Sequence, residues 1–233
     1  MSLLKLEHIN TGYGKKQVLF DVNLEIQEGE TVLLIGANGS GKSSLLKVAY
    51  RLLPIWEYDN CTLSFNGKDL TKNKVHELIS MGFFYMPQKN ELFDNLTVNQ
   101  NLALSTFHRT KKSLSSKKLE EVLDLLPGLR PLLNQSTATL SGGERKMVSI
   151  AMLTINKPKL AMLDEPLSGL SNDQIPLIIE HLSSINKMGC SLLIVEHNVR
   201  DIFKIASRTN VMKCGNLLSD QITSLENAKN TLL

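Results

Sequence analysis

Apolar positions along the chain follow two rhythms. Residues 3–9 and 22–26 alternate apolar and polar side chains, the two-residue repeat of strands with one face in water. Residues 31–35, Thr-Val-Leu-Leu-Ile, form a continuous apolar run, which predicts a strand covered on both faces. Residues 61–65 enter the turn pair Asn66-Gly67, and residues 82–86 read as another buried strand closed by Pro87. Two more strands are predicted at 160–163 and 191–195, each preceded by a helical stretch, near 145–156 and 175–188. Between about residues 92 and 133 the texture turns polar and helix-forming. Leu119, Val122, Leu123, Leu125 and Leu126 recur there at helical spacing, and glycine and β-branched residues thin out. Alternating helix and strand predicts an α/β core with a mostly parallel sheet, interrupted by an inserted helical subdomain.

One loop of that pattern carries chemistry. Residues 36–43, G-A-N-G-S-G-K-S, lie between the apolar run at 31–35 and a helix-like stretch at 44–48. A buried strand that delivers such a loop into a helix N-terminus makes a phosphate cradle. Gly39 and Gly41 are expected to take positive φ and let the backbone wrap an anion. Free N–H groups of Gly36, Ala37, Asn38, Ser40 and their neighbours, with the helix dipole, would face the phosphates. Lys42 would supply a point charge to the β- and γ-oxygens, the Ser43 hydroxyl would hold Mg²⁺, and Ser44 continues the helix tip. A glycine-rich turn ending in a chance lysine is the bland alternative, and the strand before and helix after disfavour it.

Two further features bear on the same chemistry. Residues 160–165, L-A-M-L-D-E, end a strand in two acids, and carboxylates at the C-terminal end of a parallel strand point into the ligand crevice. Asp164 would then hold Mg²⁺, and Glu165 would orient or deprotonate the attacking water. Taken alone, the pair reads equally well as a strand end meeting solvent. Residues 140–144, L-S-G-G-E, precede a predicted helix with Ser141 as its N-cap, and Gly142 and Gly143 would expose N–H groups at a second positive helix end. A single nucleotide does not need two such ends in one chain, whereas a head-to-tail dimer would use both. Alone, this pentapeptide is a capped helix with a flexible entry.

Composition narrows the classes. The chain has 233 residues, long enough for one α/β core plus a helical lobe, with ordinary apolar (42%) and charged (21%) shares. A net charge of +3 is too small to argue for nucleic acid as partner. Lys111-Lys112 and Lys117-Lys118 form only a short basic stretch, a solvated face or, as a second reading, a contact for an anionic partner or lipid surface. Cys61, Cys190 and Cys214 are odd in number and widely spaced, which suits a reducing compartment better than a disulfide framework or zinc site. No signal peptide is evident at the N-terminus, and no apolar run approaches the ~20 residues that cross a bilayer. If the protein serves membrane transport, other subunits must supply the pore.

Together, G-A-N-G-S-G-K-S, L-S-G-G-E and L-A-M-L-D-E resemble the nucleotide-binding subunit of an ATP-binding cassette (ABC) transporter, over nearly the whole chain. The resemblance implies a phosphate-loop core, an antiparallel β subdomain and an inserted helical subdomain, in one domain over 1–233 with the core near 1–90 and 155–233 and the insert near 91–154. It implies ATP and Mg²⁺ as ligands. Tyr13 is similar to the aromatic that stacks on adenine, and Gln88 to the glutamine linking the Mg²⁺ site to a membrane subunit. Residues 168–171 resemble the loop that crosses a dimer interface, and His197 the histidine contacting the γ-phosphate. The implied partners are integral membrane permease subunits, a second ATPase subunit and, indirectly, a solute-binding protein. The implied place is the cytoplasmic face of the cell membrane. Leu92 and Phe93 would line the groove that receives a membrane subunit's helix, or equally would serve as ordinary core packing. Two positions depart from the pattern: Glu144 where glutamine is commoner, and Ser171 where aspartate is usual.

A finer likeness, in residues 52–54, 66–70, 91–102 and 195–198, is to branched-chain amino-acid importers. Lipopolysaccharide-export ATPases share residues 197–200. A soluble cassette ATPase, such as an iron–sulfur assembly scaffold, remains the alternative from outside transport.

Overall fold

The computed structural model describes residues 2–56, 60–89, 92–106, 114–197 and 199–218. Glu91, the Lys111-Lys112 pair, Asn198 and the tail from 219 onward, all touched by the sequence reading, lie outside these residues.

Two sheets share the core. In the smaller one, β1 (Ser2–Tyr13) and β2 (Lys16–Gln27) run antiparallel, and β4 (Thr62–Phe65) and β5 (Lys68–Asp69) extend it in the order β2-β1-β4-β5. The β4–β5 turn is Asn66-Gly67, with both φ values positive at 50° and 72°, the twist a two-residue hairpin favours. The larger sheet has six strands in the order β10-β9-β3-β8-β7-β6: β3 (Thr31–Ile35), β6 (Phe83–Met86), β7 (Leu160–Asp164), β8 (Ser191–Val195), β9 (Arg208–Lys213) and β10 (Asn216–Leu218). All neighbours are parallel except the β9–β10 pair, so the expected mostly parallel sheet is present.

Both faces of this sheet are covered, as the apolar run of β3 predicts. Leu33 and Ile35 join one apolar cluster, and Val32 and Leu34 join the other. Each of these four side chains is fully buried, which stabilises the fold by about 1.5–3 kcal/mol apiece. One face packs on α1 (Lys42–Ala49), α2 (Val75–Met81) and the smaller sheet. The other packs on α3 (Val98–Ser105), α4 (Ser116–Leu125), α5 (Gly142–Asn156), α6 (Gln174–Lys187) and the short α7 (Val199–Ile202).

After a non-helical turn over residues 92–97, the segment to residue 133 carries α3, α4 and a 3₁₀ turn at Pro127–Leu132. Val122, Leu123 and Leu126 face inward as their spacing predicts, but Leu125 is about half exposed, one position off the buried stripe. A buried asparagine organises the entry to this region. Asn101 Oδ1 accepts from the Phe93 N–H at 2.8 Å, and Nδ2 donates to the Phe93 and Thr97 carbonyls at 3.1 and 3.0 Å.

Candidate nucleotide site

The loop after β3 is shaped by three glycines. Gly39 and Gly41 have φ of 77° and 108°, as expected, and Gly36 adds a third requirement. A Cβ on Gly36 would lie 2.2 Å from the Met212 carbonyl oxygen, so the loop can follow β9 this closely only without a side chain. Gly41 then caps α1, whose first residues are Lys42, Ser43 and Ser44. Lys42 Nζ donates to the Gly36 and Ala37 carbonyls at 2.8 and 2.9 Å, which folds the lysine along its own loop. Burial lowers the Lys42 pKa, against the nearby Glu165 and Asp164 carboxylates, which raise it.

Opposite the loop, three adjacent strands end together. β6, β7 and β8 stop at Met86, Asp164 and Val195, and within two residues of those ends stand Gln88, Glu165 and His197. Their side chains form one row. Gln88 Nε2 donates to Glu165 Oε2 at 2.7 Å, and His197 Nε2 lies 3.0 Å from Glu165 Oε1. Glu165 reaches this place through a left-handed backbone, φ 52°, with its N–H on the Val195 carbonyl at 2.9 Å. That conformation costs about 1–3 kcal/mol in a non-glycine residue and clusters at functional sites.

Ser43 joins loop to strand, its hydroxyl donating to Asp164 Oδ1 at 3.1 Å. Burial raises the Asp164 pKa, the Ser43 hydrogen bond lowers it, and the Glu165 charge raises it. The pair offers hard oxygen donors side by side, the ligand chemistry Mg²⁺ prefers, so these residues fit that ion.

Tyr13, Asn38, Gly39, Gly41, Lys42, Ser43, Ser44, Gln88, Glu165 and His197 line one cleft of about 490 Å³, with Val18. Gly36, Ala37, Ser40 and Asp164 stand behind that lining and shape it. Tyr13 is 46% exposed, and Lys47 Nζ lies 5.8 Å from its ring centroid. An aromatic face is thereby open at the cleft rim, where a base can stack.

Ser141, Gly142 and Gly143 do not line this cleft. They form the tip of α5, where Ser141 Oγ accepts from the Glu144 N–H at 3.3 Å and Glu144 Oε2 accepts from the Ser141 N–H at 2.7 Å. This reciprocal cap gives Glu144 a structural task that glutamine performs equally. Gly143 is needed for packing, since a Cβ there would come within 3.1 Å of the Gly169 carbonyl. Ser171 donates its N–H to Gln174 Oε1 at 3.1 Å and opens the first turn of α6.

Two residues that work here carry no motif signal. Glu196 is buried and accepts from the Leu167 N–H at 2.7 Å and the His197 N–H at 3.2 Å, which ties the segment after Glu165 to the one holding the histidine. Lys146 on α5 reaches the Gln88 carbonyl at 3.2 Å and links the α5 helix to the end of β6. Only an acid beside His197 and a lysine two residues past L-S-G-G-E marked them in sequence.

A second hollow, about 370 Å³, opens between β6 and the helical region and is lined by Tyr85, Phe84, Phe93, Leu104 and Met152 among others. Phe93 is 62% exposed there, as expected of a groove residue. Leu92 is not: it is buried in the core, because its side chain points from the loop into the apolar cluster beneath.

A glycine loop at the tip of α1 facing an Asp–Glu strand end across a parallel sheet defines a phosphate-loop nucleoside triphosphatase. A family model described as ABC transporter matches residues 19–168. The chain belongs to this family and is an ATP-binding, ATP-hydrolysing subunit of it. It is similar to the high-affinity branched-chain amino acid transport ATP-binding protein BraG of Pseudomonas aeruginosa, 34% identical over 93% of this chain and 91% of that one. It is also similar to the lipopolysaccharide export system ATP-binding protein LptB of Haemophilus influenzae, 29% identical over 100% of this chain and 98% of that one. Among solved structures, a nucleotide-free ATP-binding cassette from an ABC transporter superposes with a TM-score of 0.81 at 26% identity, covering 99% of this chain and 95% of that chain.

Proposed function

We propose that the chain energises solute transport as one half of an ATP-driven clamp on the cytoplasmic face of a membrane. Two such subunits sandwich two ATP molecules, each between the 36–43 loop of one protomer and the Ser141 helix tip of the other. The observation that carries this is the division of the motifs. One cleft gathers Tyr13, Lys42, Ser43, Gln88, Glu165 and His197, while the second glycine-bordered helix tip stands outside it. A dimeric bacterial ABC transporter cassette shares the fold with a TM-score of 0.84.

Within the cleft, Tyr13 stacks on adenine, the loop N–H groups and Lys42 hold the phosphates, and His197 contacts the γ-phosphate. Glu165 accepts the proton of the attacking water, oriented by Gln88 and His197 through the row described above. Ser43, Asp164 and Gln88 would hold Mg²⁺, which when bound neutralises phosphate charge as phosphoryl transfer proceeds. ATP closes the dimer because its γ-phosphate bridges the two surfaces, and hydrolysis removes the bridge and reopens it.

No described helix is long and apolar enough to cross a membrane; in this reading separate permease subunits form the pore. Their cytoplasmic helix docks in the apolar groove at Phe84 and Phe93. The proposed cargo is a branched-chain amino acid or related small solute, handed over by a solute-binding protein, which the likeness to BraG supports. Lipopolysaccharide export is the second reading, and the full-length likeness to LptB favours it. In native membranes the chain should sediment with a polytopic protein, and Phe93→Asp should release it while ATP binding persists. Wild-type chain left wholly in the supernatant would overturn the transport reading.

A further inference from the structure

Gly215 lines no part of the nucleotide cleft, yet its backbone joins the two halves of it. Lys213 and Asn216 pair across a two-residue turn, Cys214-Gly215, with φ of 48° and 81°, which folds β9 back into β10. From that turn the Gly215 N–H donates to the Ser40 carbonyl of the phosphate loop at 2.9 Å. The Gly215 carbonyl accepts from the Phe20 N–H of β2, also at 2.9 Å. β2 is an edge strand of the smaller sheet, so the turn occupies a donor on its open side.

The two halves hold different parts of a nucleotide. Tyr13 ends β1 and pairs with Lys16, the first residue of β2, and Val18 of β2 lines the same cleft. The loop carries Lys42 and the N–H groups that face phosphate. Tyr13's own polar ties to α1 are long, its hydroxyl lying 3.4 Å from both Ser44 Oγ and Lys47 Nζ. Leu19 packs on the loop at Gly41, where a Cβ would come within 2.8 Å of the Leu19 Cδ2. Such an apolar contact brings strand and loop close, but it is non-directional and leaves their alignment free. The two Gly215 bonds are short and directional. No side chain fits where they are made: a Cβ on Gly215 would lie 2.2 Å from the Val18 carbonyl oxygen.

We propose that Gly215 is a positioning residue of the nucleotide site: its backbone fixes the spacing between the β1–β2 strand pair and the phosphate loop, so that Tyr13 meets adenine while the loop holds the phosphates. This rests on the reading of the cleft as the ATP site and of Tyr13 as its base platform. Two half-sites joined through one ligand give their full affinity only when both engage at once. Gly215 therefore acts through Tyr13. A shift of β2 away from the loop forfeits the stacking, and the phosphate contacts persist.

The test is a double-mutant cycle on Gly215→Ala and Tyr13→Ala in the full chain, read as Mg-ADP affinity per folded molecule by equilibrium dialysis. Gly215→Ala keeps both backbone groups but drives a Cβ into the Val18 carbonyl, which parts the turn from the strand. Each single change should weaken binding about tenfold. With Tyr13→Ala already in place, Gly215→Ala should weaken it no more than about twofold. Losses that add across the cycle would make the glycine a merely structural residue and overturn the proposal. Wild-type affinity in either single variant would overturn it too, and would leave the phosphate half of the site standing. If Gly215→Ala does not fold, Phe20→Pro removes the N–H that reaches Gly215, on an edge strand where proline is tolerated, and should give the same cycle. A wild-type chain that binds no Mg-ADP would sink the site reading and this inference together.

Discussion

Glu165→Gln separates binding from chemistry more cleanly than any other change in the cleft. Both oxygens of Glu165 are engaged, Oε2 by Gln88 at 2.7 Å and Oε1 by His197 at 3.0 Å, and the side chain is only 15% exposed. Glutamine keeps the volume. Its amide oxygen can still accept from His197, and its NH₂ can face Gln88, whose own amide turns to present oxygen. The row survives, the fold is unstrained, and Lys42 and the loop are untouched, so ATP affinity and thermal midpoint should match wild type. What disappears, in the proposed mechanism, is the negative acceptor for the water's proton. General-base catalysis contributes about 10²–10⁴ in rate. Positioning and charge stabilisation by the rest of the site remain, so a fall of about 10²–10³ is expected, some 2.7–4 kcal/mol of barrier at about 1.36 kcal/mol per tenfold. Phosphate release at saturating Mg-ATP reads the rate, and light scattering reads the ATP-bound dimer, which should accumulate because it cannot discharge. A variant hydrolysing ATP at the wild-type rate would remove Glu165 from the chemistry.

Three other perturbations probe the scaffold. Gly36→Ala would drive a Cβ to 2.2 Å from the Met212 carbonyl oxygen, and the backbone shift this forces should cost about 2 kcal/mol, lowering the thermal midpoint by roughly 4–8 °C; an unchanged midpoint would contradict the close approach. Asn101→Leu strips the Phe93 N–H of its partner, while the Phe93 carbonyl keeps the Thr137 hydroxyl, and should cost about 1–3 kcal/mol in urea unfolding, with ATP binding per folded molecule unchanged; full retention of stability would show that solvent replaces the asparagine. His181 is buried against Thr154, Nε2 to Oγ1 at 2.6 Å, and since that hydroxyl donates to the Ile150 carbonyl, Nε2 carries the proton of a neutral ring. Burial lowers its pKa, so the unfolded chain takes up a proton first as pH falls: the stability is complete above about pH 6.5 and is lost toward the lowered folded value, at about 1.36 kcal/mol per pH unit. His181→Gln should flatten that slope in midpoints measured across this range, and an identical slope would place the titration elsewhere.

Strands covered on both faces were legible because burial leaves them no polar positions: β3, β7 and β8 match the apolar runs within a residue or two. β9 was not, since Arg208-Thr209-Asn210 interrupts its apolar pattern, and Thr209 and Asn210 are buried in a strand paired in parallel with β3. β1 and β2 extend well beyond their alternating segments. Left-handed residues at His8 and Asp21, φ 54° and 48°, and the shifts of register between the strands break the two-residue repeat that would have revealed their full length. α2 is seven residues with Leu78 as its buried one, too short for a helical period to show. In the site, consecutive residues were readable because the loop is a local structure. Glu196 and Lys146 act across 29 and 58 residues of sequence, through contacts that only the folded sheet creates.

The geometry of the row also explains why its members are so far apart in sequence. Gln88, Glu165 and His197 leave β6, β7 and β8, which are neighbours in the sheet, so their order in space is the order of the strands and not an accident of side-chain reach. Parallel strands end at one edge, and each crossover returns the chain to that same edge with one more side chain. Glu165 sits in the middle strand, the position from which an acid can be held from both sides at once. Its left-handed backbone turns it along the sheet edge toward Gln88 and His197, where a relaxed extended residue would continue along the strand direction. The strain is offset by the Val195 carbonyl on its N–H and by Glu196 gripping Leu167 two residues on. Ser43 and Asp164 then set the distance between this edge and the tip of α1. The geometry of the cleft is thus a property of strand order, one strained residue and one helix tip, which is why short local motifs suffice to announce it.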